Sequence, residues 1–83
     1  MASAKWSRVA LDNLAKLDPF VQERMLMKVN WLEENFSAIV SAALRNELKG
    51  LYKLRVGDYR IVYSIARGEP IIEAVGHRRD VYK

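Results

Sequence analysis

The hydrophobic period of this chain changes once, at Gly50, and that change limits what each part can become. Before it, apolar residues recur at helical spacing; after it they alternate. Asp18-Pro19 is the sharpest start signal, an N-cap followed by proline at the first helical position. The helix it opens is predicted to run to about Asn35, burying Val21, Met25, Val29, Leu32 and Phe36 as one stripe. Ser7 caps an earlier helix running to about Leu17, with Ala10, Leu14 and Leu17 on one face. The connection between the two helices is very short, which predicts an antiparallel helical hairpin. Ala2 to Trp6 form a short first strand. Residues 37–49, "SAIVSAALRNELK", have helical propensity and end against Gly50, so a helical turn is allowed there.

Beyond Gly50, Leu51–Val56 and Tyr59–Ala66 read as strands. Arg67-Gly68-Glu69 is a turn, and Pro70–Gly76 is a third strand with its proline at the first residue, where it is tolerated. The tail "HRRDVYK" is expected to be irregular. The fold class is therefore α+β in two layers. An N-terminal strand and helical hairpin pack on a mainly antiparallel sheet completed by a C-terminal three-strand meander. Residues 1–83 are expected to form one domain with a small core, since a chain this short buries only about 60% of its unfolded surface.

The first two strands of the meander flank Gly57-Asp58, a two-residue hairpin signal. A two-residue loop sets Val56 opposite Tyr59, Arg55 opposite Arg60, Leu54 opposite Ile61 and Lys53 opposite Val62. Lys53 and Arg55 then share a face, about 7 Å apart by the strand rise. Like charges directly opposite each other are destabilising. Three cations on one face with no acid among them imply an absent anion. The net charge of +4 agrees, and the excess lies late in the chain: residues 1–49 carry 7 basic and 6 acidic groups, residues 50–83 carry 7 and 4.

Other chemistries are restricted by composition. There is no cysteine, and His77 is the single histidine, so neither a thiolate nor a multi-histidine metal site is expected. No cofactor is expected. No apolar run approaches the roughly 20 residues that span a bilayer, so no membrane partner is expected. With no signal peptide either, the cytoplasm is the expected location.

Three stretches together carry a resemblance. "ELKGLYKLRVGDYRIVYSI", then an apolar strand, then "VGHRRDVY" resemble the RelE branch of the RelE/ParE toxin superfamily, small basic toxins of toxin–antitoxin pairs. The likeness extends over the chain in length and element order, and its specific part is residues 47–82. It implies a toxin that enters the ribosomal A site and cuts messenger RNA by attack of the RNA's own 2′-hydroxyl on the adjacent phosphate, without metal. It also implies two partners, a cognate antitoxin and the ribosome with bound messenger. The family's catalytic positions fall here on Lys53, Arg55, Arg60, Arg78 and Tyr82, and Arg55 stands where many members have lysine. Lys49 and Arg79 are candidate RNA contacts.

The residue chemistry fits this resemblance. Charge builds on phosphate oxygens as the 2′-hydroxyl attacks, and prefixed cations stabilise it without reorganising. Guanidinium suits that role because it grips phosphate bidentately and stays charged. Arg55 cannot serve as a base, since arginine does not deprotonate in proteins. Tyr82, close in sequence to Arg78 and Arg79, is the favoured proton-transfer group, with Lys53 as the other candidate. His77 is a possible general acid, although strand alternation can point it away from Arg78. Asp58 reads as turn chemistry, Tyr52 and Tyr63 as core, Trp6 and Trp31 as core anchors, and Met25 and Met27 as core or interface. Two other functions compete: a ParE-type toxin that inhibits gyrase by binding, and a non-catalytic RNA- or ribosome-binding module.

Overall fold

A computed structural model describes residues 3–39 and 50–81. Its elements follow the predicted order: β1 (Lys5–Trp6), α1 (Arg8–Ala15), α2 (Pro19–Glu34), β2 (Tyr52–Val56), β3 (Tyr59–Ala66), β4 (Glu69–His77) and a final helical turn, α3 (Arg78–Val81). Residues 36–39 are also helical. The rest of the predicted helical segment, 40–49, lies outside the described residues. The sheet order is β1-β4-β3-β2, with β1 parallel to β4 and the other pairs antiparallel. The two-layer α+β architecture is therefore the one expected.

Both N-caps form as predicted. The Ser7 hydroxyl accepts the Ala10 N–H at 3.0 Å, and the Asp18 carboxylate accepts the Phe20 N–H at 2.8 Å. Ser7 also ties its helix to the sheet. Its hydroxyl donates to the Glu73 carbonyl at 3.0 Å and its N–H to the Ile72 carbonyl at 2.9 Å. Because β1 has only two residues, the outer edge of β4 needs another partner beyond it. Asn13 of α1 supplies one, its Oδ1 accepting the Val75 N–H at 3.2 Å. The two helices are linked where the Gln22 side chain donates to the Leu14 carbonyl at 2.8 Å.

The core forms between the helices and one sheet face. Ala10, Met25, Val29, Leu32 and Phe36 meet Val56, Ile61, Tyr63, Ile72 and Val75. Val21, Leu14, Leu17 and Trp6 pack around that set, half-buried. Three expectations need correction. Trp31 is not a core anchor: it is 40% exposed, and the Lys28 ammonium lies 4.0 Å from its ring. The tail is not wholly irregular, since His77 ends β4 and residues 78–81 make a helical turn. The second hairpin turn is Arg67-Gly68 alone, with Glu69 already in β4. In addition, β4 carries a bulge, because Val62 pairs with Ala74 whereas Tyr63 pairs with Ile72, leaving Glu73 as the extra residue. The Glu73 carboxylate accepts the Ser64 hydroxyl at 2.7 Å. Among the described residues, no helix is long and apolar enough to cross a membrane.

Candidate functional site

The β2–β3 register is the one expected: Tyr52 opposite Tyr63, Lys53 opposite Val62, Arg55 opposite Arg60 and Val56 opposite Tyr59. Tyr52, Leu54, Val56, Tyr59, Ile61 and Tyr63 take the core side, so Lys53, Arg55, Arg60 and Val62 share the other face. Tyr52 and Tyr63 stack with ring centroids 5.5 Å apart. Burial, and secondarily the neighbouring Tyr52 hydroxyl, push the Tyr63 phenol above its ordinary value, so Tyr63 stays protonated and is core, as expected.

The three hairpin cations begin on one face and then diverge. Lys53 and Arg55 are exposed, but Arg60 is only 8% exposed, against the expectation of an open cationic face. The reason is its strand. β3 is central, flanked by β2 and β4, so the Arg60 side chain lies over the sheet and not beside it. Its Nη1 donates to the Gly57 carbonyl at 3.1 Å and to the Tyr59 carbonyl at 2.9 Å, which satisfies that nitrogen and turns the guanidinium toward the hairpin tip. Arg55 lines a groove with residues of α2. The two opposite arginines thus differ in setting, Arg60 buried and bonded at the hairpin tip and Arg55 exposed to solvent, where its charge is screened. Both bonds use Nη1 alone.

The tip is held from three directions. Arg60 grips it from the sheet, and the Arg78 N–H donates to the Asp58 carbonyl at 2.9 Å. From α2, the Arg24 guanidinium packs beside Gly57, its Nη2 3.4 Å from where an ideal Cβ would stand. Gly57 has φ +60° while Asp58 keeps a negative φ, the pattern of a type II′ turn with glycine at the first central position. The structure therefore brings together the hairpin tip, Arg60 and the start of α3, with the Arg78 and Arg79 side chains exposed. His77 is directed elsewhere, as alternation allowed. Its ring packs edge-on against Tyr59 at 5.4 Å on the core side, and its Nδ1 accepts the Arg79 N–H at 3.2 Å. Lys49 and Tyr82 lie outside the described residues. Among those described, no group of three His, Cys, Asp or Glu side chains could hold a metal ion.

The reading of the sequence missed α2's share of the surroundings. Arg24, Met27, Lys28 and Trp31 line an open groove of about 350 Å³ with Arg55, Val56 and Gly57. A signal was available: Phe20, Arg24, Met27, Lys28 and Trp31 recur at helical spacing as a second stripe beside the buried one.

Known proteins place this architecture. A sequence model of the family described as the ParE toxin of type II toxin–antitoxin systems matches residues 4–82. A curated toxin RelE of Mycobacterium tuberculosis is 50% identical over 32 residues, which span 39% of this chain and only 33% of that relative's length. Among solved structures, the RelBE toxin–antitoxin complex of Mycobacterium tuberculosis superposes with a TM-score of 0.72 at 24% identity, covering 93% of this chain and 98% of the other. The intact E. coli RelBE complex gives 0.71 at 21% identity, covering 93% and 96%. Those identities establish the fold alone, whereas the family match extends over nearly the whole chain. The chain belongs to the ParE toxin family of type II toxin–antitoxin systems, within the RelE/ParE superfamily.

Proposed function

We propose that this toxin is a ribosome-dependent endoribonuclease that cuts messenger RNA in the A site, its chemistry independent of a divalent metal, and that a cognate antitoxin holds it in the cytoplasm until release. One observation carries the reading: exposed Lys53 and Arg55 stand on the hairpin whose tip is bonded to the backbone of exposed Arg78. In this reading the arrangement would offer cations from two elements to one phosphate. Arg55 and Arg78 would take the phosphate oxygens as charge builds on them. Arg60 would hold the tip with Nη1 and reach phosphate with its remaining N–H groups, which guanidinium permits because its five donors form a fixed fork. Lys53 or Tyr82 would move the proton, with Tyr82 favoured, while Lys49 and Arg79 would contact flanking RNA. His77 is the weaker general-acid candidate, since its ring packs toward Tyr59.

The experiment is primer-extension mapping of messenger on translating ribosomes, with and without the protein, followed by analysis of the product ends. Attack by the 2′-hydroxyl leaves a 2′,3′-cyclic phosphate or its opened form. A 5′-phosphate with a 3′-hydroxyl would indicate metal-assisted hydrolysis and refute the mechanism. Tyr82→Phe, which removes one oxygen and keeps the ring, should lower cleavage by about 10²-fold or more. An unchanged rate would move proton transfer to Lys53. The second reading is gyrase inhibition, favoured by the family description itself. Gyrase-dependent DNA breaks with intact messenger would establish it, and ribosome binding with no cleavage would make the chain a non-catalytic module.

A further inference from the structure

We infer that His77 is a positioning residue: as a neutral N-cap, its Nδ1 fixes the start of α3 and with it the approach of Arg78 to phosphate. The starting observation is how little holds α3. It is a single turn, Arg78–Val81, too short to be stable by its own hydrogen bonds. The first N–H groups of any helix lack partners within it. Here the first two are taken from outside. The Arg78 N–H donates to the Asp58 carbonyl at 2.9 Å, and the Arg79 N–H donates to His77 Nδ1 at 3.2 Å. One acceptor is backbone on the hairpin tip. The other is the side chain of the residue directly before the helix, bonded two residues on, as N-caps are.

Serine, aspartate and asparagine are the usual N-caps, and the surroundings explain a histidine. A backbone N–H can only donate, so Nδ1 offers its lone pair, and the ring is neutral with its proton on Nε2. That ring is itself held. It meets Tyr59 edge-on, with centroids 5.4 Å apart and planes at 77°. Tyr59 pairs with His77 on one side and with Val56 on the other, so the cap is braced on the strands that carry Arg55 and Arg60. Serine and asparagine have no ring to pack there. Aspartate would set a carboxylate beside exposed Arg78 and Arg79, where it competes with phosphate for guanidinium. Histidine supplies an acceptor and a ring contact without negative charge. The consequence for cleavage rests on the reading of Arg78 as a phosphate contact, since a misplacement of about 1 Å can cost about 10²-fold in rate.

The test replaces His77 in the full chain with four side chains. Asn carries an oxygen near the place of Nδ1, Gln carries one nearer the place of Nε2, Asp adds charge, and Ala has no acceptor. Nitrogen-15 NMR of the parent should show Nδ1 unprotonated and Nε2 protonated. The Arg79 amide should exchange with solvent at least tenfold faster in His77→Ala and His77→Gln than in the parent, and His77→Asn should restore most of that protection. Ribosome-dependent cleavage should follow the same order, falling tenfold or more with Ala and Gln and recovering most of that loss with Asn. The deciding pair is Asn against Gln, which carry the same amide at different reach. His77→Asp should protect the amide as Asn does, yet cut at least tenfold more slowly than His77→Asn. A proton on Nδ1, or an Arg79 amide that exchanges alike in all variants, would overturn the cap. Equal loss of cleavage with Ala, Asn and Gln, while Asn still protects the amide, would make His77 the general acid and overturn the positioning role. Asp and Asn variants that cut equally would overturn the case for a neutral cap. The expected amide pattern in a protein that cuts no messenger would keep the cap and refute the nuclease reading alone.

Discussion

The molecule has two hairpin turns of the same length, and they are built on opposite terms. The Gly57-Asp58 tip carries its positive φ on glycine and is bonded to Arg60 and Arg78, with Arg24 packed against it. The Arg67-Gly68 tip carries positive φ at both residues, +54° and +77°, as a type I′ turn requires. Its glycine has nothing within 4 Å of where a side chain would begin. The first turn is conformationally relaxed and held by its surroundings; the second holds an arginine in the left-handed region with no such support. The contacts are concentrated at the tip next to the exposed cations, which is what the proposed site, relying on prefixed charge, would need. The other tip merely connects two strands.

Breaking the hold on the first tip should have the largest effect. Arg60→Ala removes two hydrogen bonds to turn carbonyls and one of the cations proposed to reach phosphate. Cleavage should fall by about 10²–10³-fold. Stability should fall by about 1–3 kcal/mol, because the carbonyls lose a charged donor. Arg78→Ala is the matched control. Its tether to Asp58 runs through the backbone N–H, so cleavage should drop over the same range while denaturant unfolding changes by less than about 0.5 kcal/mol. Equal stability losses in the two variants would mean the Arg60 side chain does not hold the tip.

Glycine replacement separates the two turns next. Gly57→Ala places a side chain at φ +60° in a type II′ position and against the Arg24 guanidinium, and should cost about 2 kcal/mol. Gly68→Ala meets only backbone strain in open space and should cost about 1 kcal/mol. Urea unfolding of both variants measures the difference, and a larger loss at Gly68 would invert the comparison. Ribosome-dependent cleavage should weaken in Gly57→Ala and remain at the parent rate in Gly68→Ala.

Much of this was legible before any coordinates. Local signals are short-range physics: Asp18-Pro19, the Ser7 cap, the Gly57-Asp58 loop and the hairpin register all follow from residues within a few positions of each other. The stripe from Val21 to Phe36 was readable because a helix repeats its own face. What escaped depended on contacts distant in sequence. Arg60 and Arg55 occupy equivalent places in the alternation, and only the order of strands distinguishes a central residue that becomes buried from an outer one that stays exposed. Trp31 looked like core because large aromatics usually are, yet it falls on the second stripe of α2. Asn13 gave no local sign of its bond to Val75, since that bond exists only because β1 stops after two residues. The bulge at Glu73 shifts the face of every later residue in β4, and alternation alone does not reveal a skipped partner.

The smallest expected effect is the one that would make the two turns alike in conformational ease. Arg67 stands at the first central position of a type I′ turn with φ +54°, where asparagine or glycine is the preferred residue and a long side chain is disfavoured. Arg67→Asn should stabilise the protein by about 0.5–1 kcal/mol, because asparagine tolerates the left-handed region that arginine occupies at a cost. For a domain of this size that raises the melting temperature by a few degrees. Arg67 lies at the tip remote from Lys53, Arg55 and Arg78 in the β3–β4 hairpin, so cleavage should not change. Thermal unfolding and the translation assay read the two quantities separately. A gain in stability at unchanged activity would show that the second turn carries relievable strain with no role in the chemistry. A loss of activity would show that the Arg67 charge contributes to binding the ribosome, and the division of labour between the two tips would then have to be redrawn.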